Sequence, residues 1–177
     1  LNSTSGLEVV NGKAEAVTYH GRQAVHLVSA PDHQGAEDAA VALIANSDFQ
    51  DGTIELDVAG SPRTGAPQDA RGFIGVAFRV QARASRFENI YLRPTNGRAD
   101  DQLRRNHSVQ YDSAPDYPWF RLRKENPGVY ESYVDLESGA WTRMKIVVSG
   151  TTAKLFVNGA SQPCLIVRDL KLGTSRG

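Results

Sequence analysis

Apolar residues recur along this chain mostly at every second position, in short runs that Gly, Pro, Asn or Asp interrupts. Such alternation is typical of β-strands that bury one face and present the other to solvent. It predicts strands over residues 53–58, 73–80, 87–93, 119–123, 130–136, 141–149 and 153–158. The same alternation points the following side chains inward: Ile54, Ile74, Leu92, Phe120 and Leu122.

The N-terminal part shows the same pattern, with turn signals between its apolar runs. Asn11-Gly12 and His20-Gly21 predict tight turns, so residues 6–29 should form two or three short strands. The stretch from Ala36 to Ala45 fits a helical turn as well as a strand, and no other stretch favours a helix convincingly.

Many short strands with turn signals between them predict an all-β fold, an antiparallel two-sheet sandwich of the jelly-roll type. By length, residues 1–177 form a single domain. Residues 168–177 follow an apolar run with charged and glycine-rich turn residues. We therefore expect the sandwich to lack its C-terminal closing strand, and residues 168–177 to be poorly packed.

Composition argues against several classes of function. The 20 basic residues are balanced by 20 acidic ones, whereas a nucleic-acid-binding domain normally carries a net positive charge. No apolar run approaches the roughly 20 residues of a membrane span. The single cysteine, Cys164, excludes an internal disulfide, and there is no Cys/His cluster for zinc. We expect neither a nucleic-acid partner nor a membrane span, and the oligomeric state stays open.

The stretch from Tyr91 to Arg123 mixes arginines and aspartates with tyrosines, a tryptophan and a histidine. This mixture is unusual for a packed core, which leaves few polar groups unpaired, and for a disordered linker, which is poor in aromatics. Aromatic faces beside guanidinium groups and amides suit a surface that binds a polar, multi-hydroxyl or anionic ligand. The candidate ligand-binding residues are Arg79, Tyr91, Arg93, Asn96, Arg98, Asp100, Arg104, Asn106, Gln110, Tyr111, Trp119 and Arg121.

Four segments together resemble the concanavalin A-like lectin/glucanase superfamily: FQDGTIELDV, GFIGVAFR, WTRMKIVVSGTTAKLFVNG and LIVRDLKLG. Their spacing is similar to that of laminin-G-like domains and bacterial 3-keto-disaccharide hydrolase-like domains, over about residues 45–173. The resemblance implies a curved jelly roll that binds or cleaves glycans on its concave face. Because the opening LNSTSG resembles the lead of a mature exported domain, we expect a periplasmic or secreted location.

Glu55 and Asp57 are the first catalytic candidates, because two carboxylates at alternate positions of a strand share one face. Family 16 glycoside hydrolases carry Glu-x-Asp-x-Glu on such a strand, and this chain resembles them except that Ala59 replaces the third carboxylate. A hydrolase of this type would need Glu131, Asp100 or Asp101 to supply the missing group. A solvated outer strand face explains the pair equally well.

His107 is the third catalytic candidate, in a set that jelly-roll polysaccharide lyases use: a base, an acid and a group that neutralises a uronate. Strand alternation would put His107 and Tyr111 on the face of Val109, and Asn106 and Gln110 on the opposite face. The alternation therefore splits the proposed set. A hydrogen-bonded structural histidine is the other interpretation.

Aspartates offer oxygen ligands that suit a structural calcium, either Asp100 and Asp101 beside Asn96, or Asp112 and Asp116. Turn capping around Asn96 is the alternative that we prefer. We expect no cofactor.

The leading hypothesis is an extracytoplasmic domain that binds carbohydrate or is similar to a glycoside hydrolase. The alternatives are a laminin-G-like protein-interaction module and a jelly-roll polysaccharide lyase. Sugar binding predicts a groove in which aromatic and charged side chains converge, covered at one end by the loop 96–110, whereas protein interaction predicts a flat apolar patch. The expected groove residues are Glu55, Asp57, Arg79, Tyr91, Arg93, Trp119 and Arg121.

The groove hypothesis predicts that Trp119→Ala or Arg93→Ala abolishes glycan binding and changes the melting temperature by only a few degrees. The reason is that a sugar stacks on the indole and accepts hydrogen bonds from the guanidinium. Glycan binding and thermal unfolding of both variants test this. Unfolding of either variant, with Trp119 seated between the sheets, would contradict it.

Overall fold

The structure is a computed structural model that describes residues 1–32 and 39–177. The regular elements in these ranges are mainly β-strands, with two short α-helices and two single 3-10 turns between some of them. The 3-10 turns cover Ala82–Ala84 and Pro94–Asn96. The helices are α1 (Gln102–Arg105) and α2 (Trp119–Glu125). The strands are β1 (Leu7–Val10), β2 (Gly12–Tyr19), β3 (Arg22–Ser29), β4 (Val41–Ile44), β5 (Gly52–Val58), β6 (Ile74–Phe78), β7 (Phe87–Leu92), β8 (Val109–Ala114), β9 (Glu131–Ser132), β10 (Thr142–Ser149), β11 (Thr152–Val157) and β12 (Leu165–Val167).

Two four-stranded antiparallel sheets pack face to face. The β10 sheet has the order β12-β11-β10-β5, and the β7 sheet has the order β6-β7-β8-β9. Their inner faces meet in one core, where Ile146 and Leu155 of the first sheet and Ile90 and Leu92 of the second have no solvent exposure. Each such side chain contributes about 1.5–3 kcal/mol by leaving water. The predicted all-β antiparallel sandwich is confirmed.

The N-terminal strands form two further ladders, β1 with β4 and β2 with β3. Asn11 and His20 have φ values of 56° and 45°, as the predicted tight turns require. The β2–β3 hairpin is attached to the sandwich where the Tyr19 hydroxyl donates to the Gly139 carbonyl oxygen at 2.8 Å. The described part of the stretch 36–45 contains strand β4, while residues 36–38 lie outside the described residues.

Residues 119–125 form helix α2, so the predicted strand over 119–123 is wrong. Leu122 is fully buried as expected, but Phe120 is 53% exposed, because a helix puts neighbouring residues on different sides. Pro118 directly precedes the helix, and the Arg121 guanidinium donates to Glu125 one turn later at 2.8 Å. Both features are typical of a helix, and a five-residue alternation is too short to predict a strand against them.

The predicted strand over 130–136 is also shorter than expected, since only Glu131–Ser132 pairs as β9. Beyond it, the Ser108 side chain takes the place of a neighbouring strand. Its hydroxyl donates to the Val134 carbonyl oxygen at 3.0 Å and accepts from the Val134 amide at 2.8 Å. A side chain that satisfies the main chain in this way ends the ladder.

Residues 168–177 are held firmly against the sandwich, so the expectation of poor packing is wrong. The Leu172 amide donates to the buried Glu88 carboxyl group at 2.8 Å, and the Lys171 amide donates to the Tyr111 hydroxyl at 2.9 Å. Gly177 and Phe49 exchange two main-chain hydrogen bonds of 2.9 and 3.0 Å. Whether a closing strand is missing stays a prediction.

Arg79 lies inside the protein with no solvent exposure, and not on the outer sheet face where the alternation put it. Its φ of 53° turns the chain directly after β6 and ends the alternation. The guanidinium donates to the carbonyl oxygens of Gln50, Gly150 and Gly173 and to the Asp51 carboxylate. Arg79 therefore joins segments that are far apart in the sequence.

We predict that Arg79→Met lowers the free energy of unfolding by about 3 kcal/mol or more, because several buried carbonyl oxygens lose their donor. Chemical denaturation measures the change. Arg143→Met is the matched control, since Arg143 is half exposed and pairs with Glu55 on a sheet surface, where ion pairs contribute little. Equal losses of stability in the two variants would contradict the structural role of Arg79.

Candidate functional site

The outer face of the β7 sheet carries a row of polar side chains from neighbouring strands. Tyr91 of β7 lies opposite Gln110 of β8, which in turn lies opposite Glu131 of β9. On the other side Tyr91 faces Gly75 of β6. A Cβ atom at Gly75 would come within 2.5 Å of Tyr91 Cβ, so only glycine leaves room for Tyr91 at this place. The register of four strands thus builds the floor of the candidate site.

Helix α2 lies over this floor and contributes Trp119 and Arg123. Four residues apart, these two side chains share one side of the helix. The Arg123 guanidinium donates to both oxygens of Glu131, with a shortest distance of 2.6 Å. Because the Glu131 side chain is only 5% exposed, this ion pair is largely shielded from water. It joins the helix to the sheet with charge-assisted hydrogen bonds.

Arg93, directly after β7, occupies the centre of the site and is 5% exposed. Its guanidinium carbon lies 5.1 Å from the ring centroid of Tyr91, 5.5 Å from that of Trp119 and 5.8 Å from that of Phe73. Contacts at these distances are cation–π interactions. Arg93 is therefore framed by three aromatic rings.

The polar contacts of Arg93 fix its orientation within that frame. Its guanidinium donates to the Tyr91 hydroxyl at 3.1 Å, to the His107 carbonyl oxygen at 3.1 Å and to Gln110 Oε1 at 3.2 Å. Gln110 is held in turn, since its amide group donates to the Tyr130 carbonyl oxygen at 3.1 Å. The centre of the site is thus set before any ligand arrives.

His107 lies beside this centre, with Nδ1 at 2.9 Å from Glu131 Oε2. The distance is that of an ion pair, although the nitrogen is not aligned for a hydrogen bond. Burial lowers the pKa of His107 below its ordinary value, against the opposing effect of Glu131. The positive charges of Arg123 and Arg93 lower the pKa further.

Alternation wrongly put His107 on the inner face with Tyr111. His107 comes before β8, in a turn where its amide donates to the Arg104 carbonyl oxygen at 3.1 Å. That turn brings the imidazole to the outer face, next to Gln110. Tyr111 is buried in the core, where its hydroxyl donates to Glu88 at 2.6 Å. Burial also raises the pKa of Tyr111.

Glu55 and Asp57 lie on the outer face of the β10 sheet, so the expectation that they share one groove with Arg93 is wrong. Arg143 donates to Glu55 at 2.6 Å, and Arg22 donates to Asp57 at 3.2 Å. The hydrogen bond from Arg143 holds the pKa of Glu55 below its usual value. A catalytic role for the pair stays a prediction.

Other predicted residues lie around the loop 96–110 and stabilise its shape. Asn96 is buried, donates to the His107 carbonyl oxygen at 3.1 Å and accepts from Arg104 at 2.9 Å. Arg98 donates to Asp135 at 2.8 Å. Exposed positions on this loop and on α2 complete the predicted set: Asp100, Asn106 and Arg121. Whether any of these residues contacts a ligand stays a prediction.

Three members of the site were not among the predicted binding residues: Phe73, Arg123 and Glu131. Phe73 is 57% exposed and meets Tyr91 edge to face, with 5.7 Å between ring centroids. The alternation predicts that Phe73 lies on the face opposite the core. It does not predict the position of Glu131, because that position depends on pairing with β8 some twenty residues earlier in the chain.

The described residues show no group of three or more His, Cys, Asp or Glu side chains that could hold a metal ion. Asp101 instead caps α1, where its carboxylate accepts from the Leu103 amide at 2.8 Å and from the Arg104 amide at 3.2 Å. The turn-capping alternative concerns Asn96, whose side chain instead contacts His107 and Arg104, and a structural calcium stays a prediction. No described helix is long and apolar enough to span a membrane.

Comparison with known proteins gives a likeness among solved structures. No protein-family model matches this chain, and no curated protein matches it. Among solved structures, the carbohydrate-binding module CBM66 from Bacillus subtilis is similar, with a TM-score of 0.59 and 13% sequence identity. The match covers 97% of this chain and 83% of that one. At this level of identity the likeness shows a shared fold.

We predict that the imidazole of His107 titrates below its ordinary range, because burial and two guanidinium groups oppose its protonation. Since the unfolded chain then binds the proton more tightly, this group makes the folded state less stable as the pH falls through the ordinary pKa of histidine. NMR titration of the histidine ring protons measures the midpoint.

The variant Glu131→Gln should lower that midpoint further, because the Glu131 carboxylate favours the charged imidazole and a neutral amide does not. Glu125→Gln, an exposed position on α2, should leave the midpoint unchanged. A midpoint for His107 above the ordinary value in the wild-type protein would contradict this account of the site.

Proposed function

We propose that this domain binds carbohydrate on the outer face of the β7 sheet. The observation that carries the proposal is the arrangement around Arg93, an oriented guanidinium framed by the rings of Phe73, Tyr91 and Trp119. Sugar rings stack their C–H faces on aromatic side chains, and their hydroxyl groups need donors and acceptors in fixed positions. This site combines both requirements.

Arg93 keeps donors for such hydroxyl groups. An arginine side chain has five N–H donors. Three hydrogen bonds within the described residues account for three of them, to Tyr91, His107 and Gln110. The half-exposed Phe73 beside the guanidinium offers an apolar ring surface. A ligand that stacks on Phe73 would meet the guanidinium at its edge.

The shared fold with a protein named as a carbohydrate-binding module supports the proposal. The alternative of a protein-interaction module predicted a flat apolar patch. Here the centre of the surface consists instead of buried charged and polar groups, Arg93, Glu131 and Gln110. That composition favours a ligand rich in hydroxyl groups. We also propose that the domain is a member of the concanavalin A-like superfamily.

Binding is favoured over catalysis. A glycoside hydrolase needs one protonated carboxyl group as general acid. The Arg143 hydrogen bond lowers the pKa of Glu55 and keeps it ionised at neutral pH. In the lyase alternative, Tyr111 lies in the core, away from His107. Hydrolase-like activity and the periplasmic or secreted location stay predictions.

Arg93→Ala no longer separates binding from stability, since it would remove a buried member of the network with Tyr91 and Gln110. The Trp119 side chain lies between α2 and the outer face of the β7 sheet, not between the two sheets. Because it packs against both Arg93 and Arg123, its removal would also disturb the site. The exposed Phe73 is the better position for a binding test.

We predict that Phe73→Ala weakens binding of the best glycan at least tenfold, about 1.4 kcal/mol, because the stacking surface is lost. A glycan array identifies the ligand, and isothermal titration calorimetry measures Kd for both proteins. Phe156→Ala, on the outer face of the β10 sheet, is the matched aromatic control and should keep the wild-type Kd. An effect of Phe156→Ala alone, or no glycan bound at all, would overturn the proposal.

A further inference from the structure

The arginines around the candidate site fall into two groups by the partners that they bind. Arg98, Arg121 and Arg123 each donate to a carboxylate, at 2.6 to 2.8 Å. Arg93 and Arg104 donate only to hydroxyl, amide and main-chain carbonyl oxygens, and neither has a carboxylate at ion-pair distance among the described residues. An arginine stays protonated in proteins. Two positive charges are therefore present here without a directly paired negative charge.

Asn96 holds these two guanidinium groups on either side of one buried amide. Its amide nitrogen donates to the His107 carbonyl oxygen at 3.1 Å, and the same oxygen accepts from Arg93 at 3.1 Å. The amide oxygen of Asn96 accepts from Arg104 Nε at 2.9 Å. Since Asn96 is only 2% exposed, the arrangement is fixed by the fold. Like charges held this way repel each other, and a bound anion relieves the repulsion.

Both guanidinium groups keep N–H donors for such an anion. Each has five donors, of which Arg93 uses three and Arg104 uses two within the described residues. Arg104 is half-buried, and the exposed Phe73 stands beside Arg93. A carboxylate or sulfate group accepts several N–H bonds at once, and charge-assisted hydrogen bonds are roughly twice as strong as neutral ones.

Arg71 adds a third positive charge on the adjoining loop. The Thr95 amide donates to the Arg71 carbonyl oxygen at 3.3 Å, and the Thr95 hydroxyl accepts from Arg104 at 3.1 Å. The Arg71 guanidinium itself donates to the Asp69 carbonyl oxygen. Burial and the positive charge of Arg104 lower the pKa of Arg71, against the opposing effect of Asp69. The two side chains are thus near enough for their charges to interact.

The carboxylates of this region are engaged in other contacts. Glu131 is bound by helix α2 through three hydrogen bonds of 2.6 to 3.1 Å. Asp101 accepts from main-chain amides at the start of α1. Asp112 lies on the same outer face and its charge acts on Arg93, but no ion pair joins these two within the described residues. An incoming anion therefore reaches Arg93 and Arg104 without displacing a carboxylate.

We infer that the site takes an acidic sugar, whose carboxylate or sulfate group binds Arg93 and Arg104 while its ring packs on Phe73. This inference rests on the proposed carbohydrate binding and names its ligand class. A neutral sugar can make the same stacking contact and accept from the same donors. It leaves the two neighbouring positive charges without a counter-charge, so it binds more weakly.

The test uses matched oligosaccharides that differ only at C6. The neutral series are those of glucose, galactose and mannose, the uronate series those of glucuronate, galacturonate and mannuronate, and the sulfated series the 6-sulfates of the neutral sugars. At least one acidic series should bind at least tenfold more tightly than its neutral counterpart. Calorimetric Kd values at pH 7 and constant low salt give the ratio, because salt screens charge interactions. The tighter of the uronate and sulfated series identifies the anion.

Removing one positive charge should reduce this preference. Arg104→Gln keeps a side-chain N–H donor but loses the charge, so the ratio of neutral to acidic Kd should fall at least tenfold while the neutral Kd stays within about twofold. Arg105→Gln is the matched control. It removes the same charge from the next position of α1, where the guanidinium donates to the carbonyl oxygens of Ala99 and Asp100, and should keep the wild-type ratio. Thermal melting checks that each variant is folded, and Arg71→Gln, with an expected fall of at least threefold, replaces Arg104→Gln should that variant not fold.

The outcomes separate the two levels of the proposal. Acidic sugars that bind the wild-type protein no more tightly than their neutral counterparts would overturn the inference and leave carbohydrate binding intact. An unchanged ratio in folded Arg104→Gln, or an equal fall in Arg105→Gln, would also overturn it, because the preference would then not come from this pair of arginines. No binding of any sugar, neutral or acidic, would overturn the proposed function together with the inference.

Discussion

Two ionisable side chains without solvent exposure, Arg79 and Glu88, determine how the C-terminal segment closes the sandwich. A buried polar group is tolerated only when its hydrogen bonds are made. Arg79 satisfies this by donating to Gly173 and other carbonyl groups, and Glu88 by accepting from the Leu172 amide and the Tyr111 hydroxyl. The sheets, the loops between them and residues 168–177 therefore have to assemble together.

The same requirement shapes the outer face of the β7 sheet. Helix α2 covers Glu131, so the carboxylate needs Arg123 as a partner. Trp119, on the same side of that helix, then reaches Arg93 from above, and Gln110 supports Arg93 from below. Groups held in this way lose little further freedom when a ligand binds, and preorganisation of this kind favours affinity.

The alternation of the sequence correctly placed Ile90 and Leu92 in the core and Tyr91 and Arg93 on the opposite face, because each strand face follows from local order alone. The prediction from alternation failed where contacts between distant parts of the chain determine the structure. Ser108 ends the ladder beyond β9, and the strands that carry Tyr91 and Glu131 meet only through β8. Periodicity carries no information on such pairings, so the fold was more predictable than the site.

The contrast between the two outer faces explains why the β7 sheet is the better candidate. On the β10 sheet, Glu55 and Arg143 pair in water, where the ions are already well solvated and a ligand gains little by replacing solvent. On the β7 sheet, Arg93 and Glu131 are almost fully shielded and stand beside the exposed ring of Phe73. A hydroxyl group that enters such a shielded network interacts with oriented charges at a low local dielectric, where each hydrogen bond is stronger than in bulk solvent. We therefore expect the ligand to bind where the charged groups are most shielded from water, and not simply where charges are present.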